Sequence, residues 1–575
     1  MKSLISILFL IASCTIYAQN FITQFENSKG TETATYEQTI EFYQNLSEKY
    51  SEIFIQEIGT TDSGKPLHLV VFNTDKNFDF QQISKSTILI NNGIHPGEPD
   101  GIDASMMLLR DIVQNKKLTK QFEDIVICII PIYNVGGSLN RNSTSRTNQN
   151  GPLSYGFRGN ARNYDLNRDF IKNDTKNARS FAEIFHTINP DIFIDNHVSN
   201  GADYQYTLTH LFTQHNKLGG DLGVFLHDRM MPEIVNDFES KGSIITPYVN
   251  VFNQVPEKGF SQFFDSPRYS TGYTTLFHTL GLMVETHMLK TYKQRVEATY
   301  DLMLSSLKFL KENGKEIDAL RKDAFNEILS KKTYPIQWQI DSTKNTMLNF
   351  KGFEGAFINS ELTGQKRLKY DRSKPFTKPV VYYDYFQSIK EIDIPKAYII
   401  PQGWWSVIEL LKINDIEFYP IKNDTVIEVE AYQIKDYKSV KNPYEGHFFH
   451  YETEVGKTIE NISFKKGDYY IPTSQNGIRY LLETLEPEAK DSFFNWNFFD
   501  IILEQKESFS PYVFEDLALD ILEENPKLKS EFEQKKKDDS EFASNWYSQL
   551  NFIYKRSKYY EKSHRQYPVY RILGY

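Results

Sequence analysis

A histidine and a glutamate stand three apart in the stretch "ILINNGIHPGEPDG", as His95 and Glu98. The run "PDIFIDNHVSN" closes with His197, 99 residues after Glu98, and a second apolar run, "GLMVETHM", is interrupted by Glu285, 88 residues further on. Two histidines and a carboxylate that leave a fourth position open can hold a catalytic zinc ion, which acidifies a bound water. A separate carboxylate can then take that water's proton. Between these pieces lies "GFRGNARNYDLNRDF", whose arginines fit the paired oxygens of a carboxylate or phosphate better than lysines do. Each piece alone also has an ordinary reading: a chance pair in a surface turn, loop arginines paired with local acids, a satisfied histidine at a strand end. Position favours chemistry for the first, because His95 and Glu98 follow a buried-strand pattern and precede a helix, where α/β sheets gather ligands. Glu285 calls most for an explanation, since a lone carboxylate in an apolar strand is costly unless a charge or metal offsets it.

The elements that must carry these groups alternate strand and helix from about Phe21 to Asn313. "LHLVVFNT", "TILINNG", "DIVICIIPIYN", "PDIFIDNHV" and "TLGLMVETHM" read as strands and "DGIDASMMLLRDIVQN" as a helix. This pattern predicts an α/β fold, a mixed, mostly parallel twisted sheet flanked by helices, over residues 19–330. Beyond the charged end of a long helix, "PVVYYDYF", "KAYIIPQG", "DIEFYPI" and "TVIEVEAYQI", with one helix at "WWSVIELLKIN", predict a strand-rich α/β accessory domain over 331–476. From 477 to 575 the spacing turns helical, including one helix through "RYLLETLEPEAKDSFFNWNFFDIILEQK". His447, His450 and His564 lie in these later regions without a spacing that makes a site, and the regions are expected to pack against the first, wall its cleft or restrict substrate size.

A chain of 575 residues needs more than one core, and a hydrophobic content of 40% is that of a folded protein. The net charge of -10 is spread without basic stripes, which sets a nucleic-acid partner aside. Residues 1–18 read as a secretory signal peptide cleaved after Ala18, which predicts an exported protein, periplasmic or secreted. An alternative makes "IASC" a lipoprotein box and Cys14 a lipid anchor. No later segment has a membrane-length apolar run, so no transmembrane helix is expected. Cys128 then remains as a lone buried thiol, without a disulfide partner.

Taken together, "HPGE", "NYDLNRDF" with its D-x-N-R core, the histidine closing "DIFIDNH" and the late-strand glutamate resemble the zinc metallocarboxypeptidases of the carboxypeptidase A type, over about Thr35 to Tyr292. The resemblance implies that His95, Glu98 and His197 hold one zinc ion and that Glu285 is the general base. It implies further that Asn167 and Arg168 bind the C-terminal carboxylate of a peptide substrate, and that Asp165 orients His95 through its other ring nitrogen. The oxyanion arginine would be Arg158, nine residues before Asn167, with Arg162 and Arg146 as rivals. Some positions depart from the pattern. Gly97 stands where digestive members carry an arginine, so that charge is missing or supplied elsewhere, and Ser199 stands where they have a tyrosine. The capping tyrosine stays open among Tyr248, Tyr269 and Tyr273. Arg268, 17 residues before Glu285, would favour an acidic leaving residue if it lines the side-chain pocket. His287, on the same strand face as Glu285, either lines that pocket too or is a satisfied buried histidine. The function expected is an exported zinc carboxypeptidase. The alternatives are a peptidase or amidase acting on cell-wall peptides with D-amino acids or γ-glutamyl links, and a non-catalytic peptide-binding relative.

Overall fold

The computed structural model describes residues 21–199 and 201–574. The leader expected over 1–18, with Cys14, lies outside them. At the centre is an eight-stranded mixed sheet built from β1 (Ile53–Thr60), β2 (Pro66–Phe72), β3 (Ser86–Asn91), β4 (Ile125–Ile130), β5 (Ile192–Ser199), β6 (Leu208–Phe212), β7 (Ile245–Pro247) and β8 (Leu280–His287). Their spatial order is β1-β2-β4-β3-β5-β8-β6-β7. The middle four, β4-β3-β5-β8, run parallel. Antiparallel pairing joins β1 to β2, β2 to β4 and β6 to β8.

The parallel strands are near-continuous apolar runs because both faces of the sheet are covered. One face packs on the helices Tyr36–Lys49, Asp100–Gln114 and Tyr292–Ser330. The last of these spans 39 residues and starts at a capping box in which Thr291 and Gln294 satisfy each other's backbone amides. The opposite face packs on the helix Lys176–Ile188 and then, without a break, on the second half of the chain: Leu89, Phe170 and Phe193 share one buried cluster with Tyr398, Tyr480 and Trp496.

That second half is built mainly of antiparallel strands. A long hairpin, Thr346–Asn359 with Lys366–Tyr383, leans on the short strand Phe260–Ser261. A six-stranded sheet includes Ala397–Ile400, Thr425–Ser439 and His450–Phe464, and it also takes in Tyr570–Ile572 from the end of the chain, a strand too short to read from spacing. The long helix expected from Arg479 onward is cut to Ile478–Leu485: Pro487 forces Glu486 out of the helical region, at φ -82° and ψ 113°. Helices Pro511–Glu524, Pro526–Asp538 and Trp546–Tyr554 form a small cluster of their own. No helix among the described residues is long and apolar enough to cross a membrane. Cys128 is buried and free.

Candidate active site

The carboxyl ends of the parallel strands deliver the chemistry-bearing groups to one place. After β3 the chain turns at Gly93, whose φ of 66° suits glycine, and then presents His95 and Glu98. Parallel register between β5 and β8 sets His197 beside Glu285. Glu98 Oε2 lies 3.3 Å from His95 Nδ1 and 3.2 Å from His197 Nδ1, and all three side chains are buried.

Each imidazole is held from behind by a carboxylate: His95 Nε2 donates to Asp165 Oδ1 and His197 Nε2 to Asp195 Oδ2, both at 2.9 Å. With the proton kept on Nε2 by these acceptors, both Nδ1 lone pairs face Glu98. Three acceptor groups within 4.8 Å of one another repel unless a cation or proton stands among them. Two imidazole nitrogens and one carboxylate oxygen are a donor set that suits zinc.

Glu98 is kept ionised. Burial alone would raise its pKa, but the Arg146 guanidinium leads the interactions that outweigh burial and hold the carboxyl well below the usual range. Arg146 Nη1 donates to Glu98 Oε1 at 2.6 Å, and the backbone N–H of Val198 donates to Oε2 at 3.0 Å. Arg146 also explains Gly97: a Cβ on that glycine would stand 3.1 Å from Arg146 Cγ and Cδ. The position that lacks an arginine is thus covered by an arginine from a loop 49 residues later.

Glu285 opens onto a cleft of about 280 Å³. Burial pushes its carboxyl up to about 8, against the opposing pull of His197. Arg158, Asn167 and Arg168 form a polar wall of the cleft; Leu211, Phe263 and Met283 form an apolar one. Arg158 donates from Nε and Nη2 to Asp165 Oδ2 at 3.0 and 2.9 Å and keeps 43% of its side chain exposed. Asp165 Oδ1 also accepts the Asn167 amide at 3.0 Å, starting the short 3-10 turn Leu166–Arg168. Arg168 rests on the Tyr269 ring, 4.5 Å from its centroid.

Other expectations fare differently. Arg162 points away, toward Asp62 and the Tyr164 ring. Arg146 grips Glu98 and does not line the cleft, which leaves Arg158 as the cleft-facing arginine of the three. Tyr248 and Tyr269 line the cleft, whereas Tyr273 is buried in the core with its hydroxyl on Asn414 at 2.7 Å. Arg268 is no pocket cation. It is buried against Asp491 at 2.6 Å and boxed by Phe449 and Trp496, so it cannot read a substrate side chain. His287 is a satisfied core histidine, bonded to Ala202 O at 3.1 Å and packed on Tyr204.

Sequence reasoning missed Asp195, although its spacing two before His197 on one strand puts both on the same face. It also missed what Arg146 does, for which a loop sequence carries no signal.

His95, Glu98 and His197 form a group that could hold a metal ion at the carboxyl ends of the parallel strands. Residues 39–192 match the family model described as zinc carboxypeptidase. The chain is 23% identical to carboxypeptidase 2 of Trichophyton rubrum over 483 residues, covering 81% of this chain and 84% of that protein. Carboxypeptidase 2 of Trichophyton equinum is 24% identical over the same shares. The crystal structure of carboxypeptidase A from Helicoverpa armigera aligns at 14% identity and a TM-score of 0.38, over 49% of this chain and 74% of that one. The match to the zinc carboxypeptidase family model thus covers the stretch that carries His95, Glu98 and Asp165, and the similarity to the fungal carboxypeptidases extends over most of the chain.

Proposed function

We propose that the protein removes single residues from the C-terminus of peptides, preferring an apolar last side chain. The observation that carries this reading is the convergence of His95, Glu98 and His197 beside Glu285, facing Asn167 and Arg168 across one cleft. His95, Glu98 and His197 would hold zinc, which when bound supplies a Lewis acid that polarises the scissile carbonyl and acidifies water.

The chain's own residues do the rest. Asn167 and Arg168 bind the terminal carboxylate, so only the last peptide bond lies over Glu285. Glu285 takes a proton from the attacking water as its oxygen adds to the carbonyl carbon, then gives that proton to the leaving nitrogen as the C–N bond breaks. A carboxyl raised by burial is a stronger base than an exposed one, and a cation held by His95, Glu98 and His197 would draw its pKa down and favour the ionised form that accepts the proton. Arg158 donates to the oxygen that gains charge in the tetrahedral state. Leu211, Phe263 and Met283 support the apolar preference. Export belongs to the same proposal and rests on residues 1–18 alone; N-terminal sequencing of material from the periplasm or medium tests it.

Zinc content and release of the last amino acid, measured on wild type and Glu285→Gln, test the mechanism. The variant is expected to keep its zinc and lose about 10²–10⁴-fold in kcat. Full turnover by that variant would remove Glu285 from the base role.

A further inference from the structure

The second half of the chain reaches the site through one tight turn. Between the paired strands Thr425–Ser439 and His450–Phe464, Tyr444 and His447 exchange backbone hydrogen bonds of 2.8 and 3.0 Å around Glu445 and Gly446. Both central residues have positive φ, 49° and 82°, as a two-residue hairpin turn requires. The tip of this turn lands on residues 164–174. Glu445 Oε2 accepts the backbone N–H of Asp165 at 2.9 Å, and His447 Nε2 bonds Asp174 Oδ2 at 2.7 Å. Gly446 lies so near the Tyr164 hydroxyl that a Cβ there would meet it at 2.8 Å.

We propose that Glu445 is a positioning residue for the reaction: by holding the Asp165 backbone it aims the Asp165 carboxylate at His95 and fixes the turn that carries Asn167 and Arg168. The inference rests on the roles given to those residues above. Asp165 is the hub of this corner, since its carboxylate serves His95, Arg158 and the Asn167 amide at once. Its own N–H lies at the start of a one-turn 3-10 segment, where no intrahelical acceptor exists, and Glu445 supplies the acceptor. The backbone anchor thus comes from a residue 280 positions away, in the part of the chain beyond the family match. A shift of Asp165 disturbs two things together, the tilt of the His95 ring and the site for the substrate carboxylate. That pairing separates positioning from a general loss of stability.

The test uses the full chain as wild type, Glu445→Ala, Glu445→Asp and Glu445→Gln, with Glu452→Ala as a control on an exposed residue of the same sheet. Zinc affinity of the apo protein is measured by competition with a chromogenic chelator, kcat and KM on a peptide ending in leucine, and Tm by calorimetry. Outer partners of metal ligands are worth roughly 10–100-fold in affinity; Glu445 acts one bond further out, so about 3–10-fold weaker zinc binding is expected for Ala. Its KM is expected to rise by a similar factor. Asp keeps the charge but loses the reach and should follow Ala, also standing in if Ala does not fold. Gln retains an acceptor oxygen and should restore zinc affinity and KM to wild-type levels. Wild-type zinc affinity and KM in both Ala and Asp would overturn the proposal, as would a Gln variant as impaired as Ala. Because zinc affinity is read without turnover, a wild type that binds zinc but cleaves no peptide would refute the carboxypeptidase reading and leave this comparison intact.

Discussion

His197 and His95 face the same point, yet they are aimed in two different ways. The carboxylate behind His197 is Asp195, on the same strand two residues earlier, fully buried and also bonded by Ser270 Oγ at 2.5 Å and Asn91 Nδ2 at 3.3 Å. The carboxylate behind His95 is Asp165, on a loop 70 residues away, with 13% of its side chain exposed and its backbone tied to Glu445. One histidine is thus oriented by strand geometry, which no loop movement can alter. The other is oriented by an assembly of loop, arginine and accessory turn. The lesson is that half of the site is a property of the central sheet and half depends on the whole chain being folded.

The largest effect should come from the buried side. Asp195→Asn is expected to weaken zinc binding by about 100-fold, because the amide cannot fix the imidazole tautomer as the carboxylate does. It should also destabilise the fold by about 1–3 kcal/mol, since Asp195 is a buried acceptor for three partners. Chelator competition and urea unfolding read the two effects. Asp165→Asn should weaken zinc by about 10-fold with little change in unfolding midpoint, because the site of substitution is a partly open loop. Equal costs in stability for the two variants would break the distinction.

Arg146→Gln sharpens the same point at Glu98. Removing the guanidinium leaves Oε1 without its charged partner, and an affinity loss of roughly 3–10-fold is expected, of the order of one charge-assisted hydrogen bond. Gly97→Ala should act in the same direction by pushing Arg146 aside, measured in the same assay.

A separate effect, on pH dependence and not on zinc, concerns a buried carboxylate without an ion-pair partner. Asp265 accepts from the Thr271 hydroxyl and from the Gly272 amide at 2.9 Å, while its second oxygen is buried without a partner. Burial pushes its carboxyl up to about 6. The native state therefore holds this proton to a higher pH than the unfolded chain, whose aspartate titrates near 4. The stability that the proton confers is complete below about pH 4 and is lost as pH rises to about 6, with a magnitude of about 3 kcal/mol. In Asp265→Asn that part of the pH dependence should vanish from urea midpoints taken between pH 4 and 7. An unchanged slope would show that Asp265 is ionised in the native protein.

How far the sequence carried the account follows the same division. The strands of the central sheet are legible because burial on both faces writes them as apolar runs, and the motifs at their ends are legible because chemistry is attached to strand ends. Asp195 is readable from its spacing to His197, two residues apart on one strand. Arg146 at Gly97, Glu445 at Asp165 and the burial of Arg268 against Asp491 were not readable, because each joins loops through contacts that leave no periodicity in either segment. The helix expected after Arg479 failed for a local reason, a proline whose effect on the preceding residue outweighs apolar spacing. The strand Tyr570–Ile572 is specified by the sheet it completes and not by its own three residues.

The most direct measurement follows product release by mass spectrometry from two peptides identical except for a free or an amidated C-terminus, with and without a zinc chelator. The account predicts stepwise loss of single residues from the free peptide alone, abolished by the chelator and restored by added zinc. Equal cleavage of the amidated peptide, or cleavage unaffected by chelation, would contradict it.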